Sequence, residues 1–413
     1  MKKINNYTFI DLFGGCGGLS LGLEQAGFKC ILFNEINESA RTTFNNNYTN
    51  KKEKPVIIPD VNDLNTKSLS YLKNDWTKKG ISDIDLVVGG PPCWGFSRIG
   101  YKRTFDGNKK DIKTNYLFNK MVEVISIVRP RMFLFENVKG LISSRWEKDS
   151  KKGEIWDEVK KKFKYLESYH IEFDIIEAYK YGVPQNRPRV FLVGYRESKN
   201  NVWRPKLNAP CGGLLPTFDD TPIPSVEDFI GDLIDESYKD KSITESYPTN
   251  PLNKIQRELR KNGKSIFNKG DPLFNHEYSR HSDPVINKFR YMINNKGRIH
   301  HAHKTKKFRQ KVLPRNWSNG KPDFTITSLP DDYVHYEQPR SLTVREMARL
   351  QTFPDHYIFY GPRTTGGRRR AGEPSDNFEN REIPQYTQIG NAVPVIIAKK
   401  FGKHFKKIFN KGE

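Results

Sequence analysis

The chain has 413 residues, with 70 Lys and Arg against 48 Asp and Glu, a formal net charge of +22. That length exceeds what one hydrophobic core usually supports, so two domains are expected, and so large a positive excess points to a polyanionic partner, nucleic acid first. Four cysteines, Cys16, Cys30, Cys93 and Cys211, are too few for a disulfide framework and none has C-x-x-C spacing, while no apolar run is long enough to span a bilayer.

The first residues run into a strand pattern broken by Asp11 and do not read as a signal peptide, so a reducing, cytoplasmic location is expected. From there strand and helix patterns alternate. Tyr7–Phe13 reads as an apolar strand, Leu19–Ala26 as a helix, and Lys29–Asn34 as a second strand followed by a helical pattern through Phe44. Pro55–Ile58 and Ile84–Val88 read as the third and fourth strands. Leu117, Met121, Val124, Ile125 and Val128 share one face of a helix over 116–128. Met132–Phe135 and Val190–Val193 close the series. This alternation predicts an α/β fold with a parallel, doubly wound sheet.

After Tyr195 the pattern changes. Residues 196–339 are rich in Pro, Asn, Lys and turn signals without sustained periodicity. The stretch 288–315 holds ten Lys or Arg and no Asp or Glu, interleaved with Phe289, Tyr291 and Phe308, which suits a phosphate-facing surface. Arg290, Arg298, Lys304 and Arg309 are its candidate DNA contacts. His300, His301 and His303 lack nearby cysteines, and no metal is expected. A helix is predicted at 341–352 and another at 392–409, separated by an irregular insertion at 361–385 that carries Arg363, Arg368, Arg369 and Arg370. Arg368 is a further candidate DNA contact.

Three strand ends carry groups suited to one ligand. The first leads into "DLFGGCGG" at 11–18, a Phe13-x-Gly15-x-Gly17 turn rather than the dinucleotide G-x-G-x-x-G, because position 20 is Ser. Glu35 follows the second strand, placed for the hydroxyls of a ribose, and Asp60 follows the third, placed for an adenine amino group. Open α/β sheets bind ligands along that edge, so the three together favour an adenosine-containing cofactor. The fourth strand ends in "GGPPCWGF" at 89–96. Read alone, Cys93 there fits either a small buried hydrophobe after a turn or a thiol held for chemistry.

Six ordered segments carry a resemblance: "FIDLFGGCGGLSLGLEQAGF", "GGPPCWGFS", "ENV" at 136–138, "QNRPR" at 185–189, "RSLTVREMARLQTFPD" at 340–355 and "QIGNAVP" at 388–394. Together they resemble the motifs of the cytosine-C5 DNA methyltransferases of bacterial restriction-modification type, from about residue 8 to residue 400. The 196–339 segment falls where that family places its target-recognition region.

The resemblance implies an α/β, Rossmann-like S-adenosylmethionine-dependent methyltransferase domain, formed by 1–195 and 386–413, with a second, smaller, irregular DNA target-recognition domain at 196–385 that includes the 340–355 motif. It implies S-adenosylmethionine as cofactor, giving S-adenosylhomocysteine. Phe13, Gly15, Gly17 and Leu19 would shape the cofactor turn, Glu35 and Ile36 hold the ribose and flank the adenine, and Asp60 and Val61 meet the adenine edge. Pro92 and Leu117 would line the pocket, and Asn391 would close over it.

Cys93 would be the nucleophile, adding as thiolate to C6 of cytosine so that C5 can attack the methyl group. Glu136 would bond the ring nitrogen N3, Arg189 would contact the base and steady Glu136, and Gln185, Arg187 and Asn137 would support that corner. The target base must leave the duplex stack. The 95–110 stretch is expected to close over it as a mobile loop, with Ser97 and Arg98 as candidate DNA contacts. The sequence departs from the family at Trp94, where glutamine is often found, and in the length of the 361–385 insertion. A monomer acting on double-stranded DNA, paired with a restriction endonuclease, is expected. The alternatives are a transfer-RNA cytosine-C5 methyltransferase and a catalytically silent DNA-binding relative. A nicotinamide oxidoreductase is excluded by the glycine spacing and the Pro-Pro-Cys segment.

Overall fold

The computed structural model describes residues 7–48, 53–92, 113–147, 149–197, 213–217, 222–300, 310–317, 320–364 and 383–411. Its centre is a seven-stranded sheet of β1 (Thr8–Leu12), β2 (Lys29–Asn34), β3 (Val56–Ile58), β4 (Leu86–Gly89), β5 (Met132–Val138), β6 (Tyr169–Glu177) and β7 (Pro188–Arg196), in the order β3-β2-β1-β4-β5-β7-β6. β1 to β5 pair in parallel, while β7 runs antiparallel to both β5 and β6.

The sheet therefore differs from the wholly parallel one predicted. One strand is reversed, and Tyr169–Glu177 is a strand that the sequence pattern did not suggest. β6 lies at an edge and half in solvent, so its charged residues obscure the alternation that marks a strand.

Helices cover both faces. α1 (Gly18–Gln25), α2 (Glu38–Asn47) and a C-terminal helix, Val395–Lys411, pack on one side, and Thr66–Lys78, Phe118–Val128 and Glu154–Lys164 on the other. Successive strand residues alternate between these layers. Phe9, Met132, Leu134, Phe191 and Val193 face α1 and the C-terminal helix, whereas Ile10, Leu12, Phe133, Phe135 and Leu192 face the opposite layer. Glu136 continues the first series along β5 and Asn137 the second.

The described residues of the 213–364 span contribute little regular structure. A helix at Asp283–Asn294 lies where the sequence showed only a basic, aromatic stretch; Phe289 and Met292 are its buried positions. The predicted helix at 341–352 is observed as Val344–Leu350, opened by a Thr343–Glu346 capping box. All seven of its residues are buried, in a third core that also takes Cys16, Leu21, Tyr386, Ile389 and Val395.

Charges inside this core are paired. Arg340 grips Glu346 through two bonds of 2.9 and 2.6 Å. Arg349 bonds both Asp355 oxygens at 2.9 and 2.6 Å and also Asp232, which Arg260 shares. Burial holds His276 and His335 neutral, pushed down to about 4 and about 3. Removing one member of such a network strands the other's charge, at a cost of roughly 3–5 kcal/mol.

Two glycines set how closely the C-terminal helix approaches α1. A Cβ at Gly22 would lie 2.4 Å from both the Ala398 Cβ and the Val395 carbonyl, and one at Gly18 2.5 Å from the Val393 carbonyl. Gly22→Ala is expected to lower the unfolding free energy by about 1–3 kcal/mol through overpacking. Gln25→Ala, on the exposed side of α1, should leave it unchanged, and chemical denaturation of both variants checks the difference.

Candidate active site

Parallel strands deliver their C-terminal ends to one edge, and the candidate residues gather there. After β1 the backbone enters the left-handed region at Phe13, Gly15 and Gly17, with φ of 57°, 58° and 85°. Two of these positions take glycine without strain; Phe13 does not, and a bulky residue so placed stores strain where the chain turns.

Asn34, at the end of β2, pins the turn. Its side-chain oxygen accepts from the Phe13 N–H at 3.2 Å, and its amide donates to the carbonyls of Ile58 and Pro59 at 2.9 and 3.0 Å. One amide thus locks three strand ends together. Nothing in the sequence pattern had marked it.

Glu35 lies across the mouth of the turn. Gly15 N–H donates to one carboxylate oxygen at 2.9 Å and Asn37 N–H to the other at 2.8 Å. Each oxygen keeps a free lone pair, which is what a diol requires. Beside it Ile36 is 38 % exposed, an apolar surface at a polar edge. Asp60 caps the short turn Val61–Asp63 by accepting from Asn62 N–H at 2.8 Å. Val61 and Leu19 bury their side chains in the two sheet-facing cores, and Leu117 and Pro92 are half-buried.

Among the described residues a Cβ at Gly15 would meet no atom within 4 Å, so the turn borders open space there. An open cradle, a carboxylate with spare lone pairs and an exposed Ile36 fit an adenosine-containing ligand.

The far side of the turn is braced by the C-terminal half of the chain. Tyr357 donates to the Cys16 carbonyl at 2.6 Å, the Cys16 thiol bonds the Gln388 carbonyl, and Thr43 donates to the Gln388 side chain at 2.7 Å. Asn391 ends the helix Gln385–Asn391 and is exposed.

A second group of side chains forms where β4, β5 and β7 meet. Arg189 Nε lies 3.1 Å from Glu136 Oε1. The β5–β7 register pairs Glu136 with Phe191 and Val138 with Arg189, so the ion pair is a diagonal contact on one face of an antiparallel ladder. Oε2 points toward Gly90, where a Cβ would lie 3.0 Å from it. Burial raises the proton affinity of Glu136, and Arg189 and then Arg187 oppose that rise. On the other face Asn137 donates to the Pro91 carbonyl at 3.1 Å, fixing the end of β4 against the end of β5.

The ten residues between β6 and β7 carry the remaining members. Gln185 donates to the Leu350 carbonyl and the Gln351 side chain at 2.8 and 2.9 Å, and accepts from Ile326 N–H at 3.0 Å. Arg187 donates to the carbonyls of Ile326, Gly390 and Ala392 at 3.1, 2.7 and 3.1 Å.

Cys93, Trp94, Ser97 and Arg98, the rest of the 95–110 stretch, Cys211, His301, His303, Lys304, Arg309, and Arg368 to Arg370 lie outside the described residues. Arg290 and Arg298 are exposed, on and just after the helix Asp283–Asn294, where His300 stacks edge-on against Tyr291. Among the described residues no group of His, Cys, Asp or Glu is arranged to hold a metal, and no helix is long and apolar enough to cross a membrane.

The family model of the C-5 cytosine-specific DNA methylases matches residues 7–407. The chain belongs to that family. It is 30 % identical to the type II methyltransferase M.DdeI of Desulfomicrobium norvegicum, over 97 % of this chain and 89 % of that one. It is 29 % identical to the type II methyltransferase M1.HphI of Haemophilus parahaemolyticus, over 97 % and 87 %. A crystal structure described as a DNA modification methyltransferase of an Escherichia coli prophage superposes with a TM-score of 0.67 at 24 % identity, covering 98 % of this chain and 99 % of that one, which shows a shared fold. The α/β fold of this DNA methylase is thus that of its relatives, with β7 reversed within it.

Sequence reading missed an acidic pair, Asp11 at the end of β1 and the part-buried Glu24 of α1. Asp11 accepts from Ser20 Oγ at 2.6 Å through one oxygen, while its other oxygen and Glu24 Oε1 have no partner among the described residues. Burial pushes Asp11 up to about 7 and Glu24 up to about 8, with Glu35 adding to the first and Asp11 to the second. Both folded values exceed the ordinary ones of 3.8 and 4.5, so the pair's contribution to stability is whole below those ordinary values and is lost as pH rises from them to the folded ones. The thermal midpoint should therefore decline from about pH 4 to about pH 8, and the double variant Asp11→Asn, Glu24→Gln should flatten that decline in a pH-resolved melting series.

Proposed function

We propose that this protein transfers a methyl group from S-adenosylmethionine to carbon 5 of a cytosine swung out of duplex DNA, through a covalent bond between Cys93 and C6 of the ring. The observation that carries this reading is the Glu136–Arg189 pair, half-enclosed at the end of β5 beside the Pro91–Pro92 segment that leads to Cys93. S-adenosylmethionine, when bound, supplies an electrophilic methyl group.

The protein's own groups would do the rest. Glu35 accepts from the ribose hydroxyls, Ile36 lies against the adenine, and Asp60 takes its amino group. Glu136, whose burial favours its protonated form, donates to N3 and draws electrons toward that side of the ring. Addition of the Cys93 thiolate to C6 then moves the displaced electron pair toward C5, making that carbon nucleophilic. Arg189 holds Glu136 in place and meets the base edge. After transfer, loss of the C5 proton restores the double bond as the C6–sulfur bond breaks, returning the electron pair to Cys93. Asn137, through the Pro91 carbonyl, keeps the end of β4 fixed while this proceeds.

Residues 196–385 form the target-recognition region in this reading, and the exposed Arg290 and Arg298 meet phosphates. The relatives' names as type II methyltransferases support a role in marking DNA against a companion endonuclease.

Incubation with methyl-labelled S-adenosylmethionine and a mixed-sequence duplex should yield label as 5-methylcytosine, and Glu136→Gln should slow it by roughly 10²–10⁴-fold. Label found only in structured transfer RNA, or in another base, would replace this reading. Binding to duplex DNA should weaken linearly in log–log terms as salt rises, and a flat salt dependence would remove phosphate contact from the account.

A further inference from the structure

Asn34 is the last residue of β2 and is 1 % exposed. It belongs to the middle one of the three strands whose ends carry the cofactor groups, between β1 and the edge strand β3. β3 is three residues long, half-buried throughout, and among the described residues pairs with β2 alone. Its ladder with β2 ends at the Asn34–Ile58 pair. The next residue, Pro59, has no N–H to extend it. Backbone pairing therefore stops two residues short of Asp60, the group proposed to take the adenine amino group.

The Asn34 side chain takes over where the ladder stops. Its Nδ2 donates to the Ile58 carbonyl at 2.9 Å and to the Pro59 carbonyl at 3.0 Å. The second of these carbonyls lies in the planar peptide that joins Pro59 to Asp60, so the bond fixes the plane from which Asp60 departs. Oδ1 of the same amide accepts from Phe13 N–H at 3.2 Å, at the start of the cofactor turn. An amide alone suits this place, because it combines two donors on one atom with an acceptor on the other. A carboxylate would set an oxygen against two carbonyls, and a hydroxyl has a single proton to give. The span from the cofactor turn to Asp60 is thus held by one buried side chain beyond the reach of the sheet ladder.

We propose that Asn34 is a positioning residue that gives the cofactor site its selectivity for adenine. Its amide holds the Pro59–Asp60 peptide at a fixed offset from the cofactor turn, so that Asp60 meets the 6-amino group when the ribose is seated on Glu35. Asn34 acts through Asp60 and does not touch the ligand. The proposal rests on the methyltransferase reading above.

The test measures binding rather than turnover. Affinity of the full chain is measured for S-adenosylhomocysteine and for S-inosylhomocysteine, in which an oxo group replaces the 6-amino group. The Asp60 carboxylate accepts from the first and repels the second, so the wild type should favour the first by roughly ten-fold or more, as a hydrogen bond to a charged group allows. Asp60→Ala should erase that preference. Asn34→Asp keeps the shape and the acceptor for Phe13 but loses the donors to β3, and should bring the ratio to within about two-fold of unity.

A merely structural Asn34 would weaken both ligands alike and leave the ratio intact; that result in a folded variant overturns the proposal while the methyltransferase reading stands. A wild-type preference that survives Asp60→Ala overturns it too, since the selectivity then lies elsewhere, as does a wild type that binds the two ligands equally. If the wild type binds neither, the methyltransferase reading falls and takes the proposal with it. Should Asn34→Asp not fold, Asn34→Ala, which adds no charge, is measured in its place and must lose the same ratio.

Discussion

A single strand inserted against the direction of its neighbours makes the candidate site possible. With β7 antiparallel between β5 and β6, the short connection from β6 to β7 folds back at the carboxyl edge of the sheet, the edge where β1 to β5 also end. Arg189, at the beginning of β7, is therefore level with Glu136, at the end of β5. A parallel β7 would have carried its first residues to the opposite edge, some twenty ångströms away at about 3.3 Å per residue. The ion pair and the Arg187 contacts both depend on that reversal.

The second dependence is on the chain's return. The last helix packs against α1 on the layer that Glu136 faces, and the short helix before it, Gln385–Asn391, is tied to the turn after β1 through Gln388 and to the β6–β7 connection through Arg187. Sequence positions nearly four hundred residues apart thus share one wall. The buried Arg–Asp and Arg–Glu pairs around Val344–Leu350 hold the adjoining face rigid. Gln351, directly after that helix, passes this rigidity to the Ile389 carbonyl. Catalytic geometry depends on such support, because misplacement by about an ångström can cost a hundred-fold in rate.

How much of this was legible in the sequence varied with the physical signal. β1, β2, β4 and β5 are buried on both faces and read as continuous apolar runs, so their places were clear. Glu35, Asp60, Glu136 and Arg189 stand next to strand ends, and their placement followed once the strands were placed. Strand direction has no sequence signature, which is why the reversal of β7 was invisible. β6 was missed because His170, Glu172 and Asp174 interrupt an edge strand whose outer side faces water. The helix Asp283–Asn294 had a signal in Val285, Phe289 and Met292, but the basic residues between them mask that spacing. Asn34 and Gln351 left no trace, since a lone amide forms no pattern until its three-dimensional partners are known. The assignment of roles came from the resemblance, not from periodicity.

The central claim, that Cys93 and Glu136 act together on a cytosine, is tested most directly by a duplex carrying 5-fluorocytosine at the methylated position, with S-adenosylmethionine present. Fluorine cannot leave C5 as a proton does, so reaction should stop at the bonded stage. The account predicts a denaturation-resistant protein–DNA adduct with the wild type and none with Cys93→Ser. An adduct that survives Cys93→Ser, or a wild type that methylates cytosine yet forms no adduct with the fluorinated duplex, would contradict it.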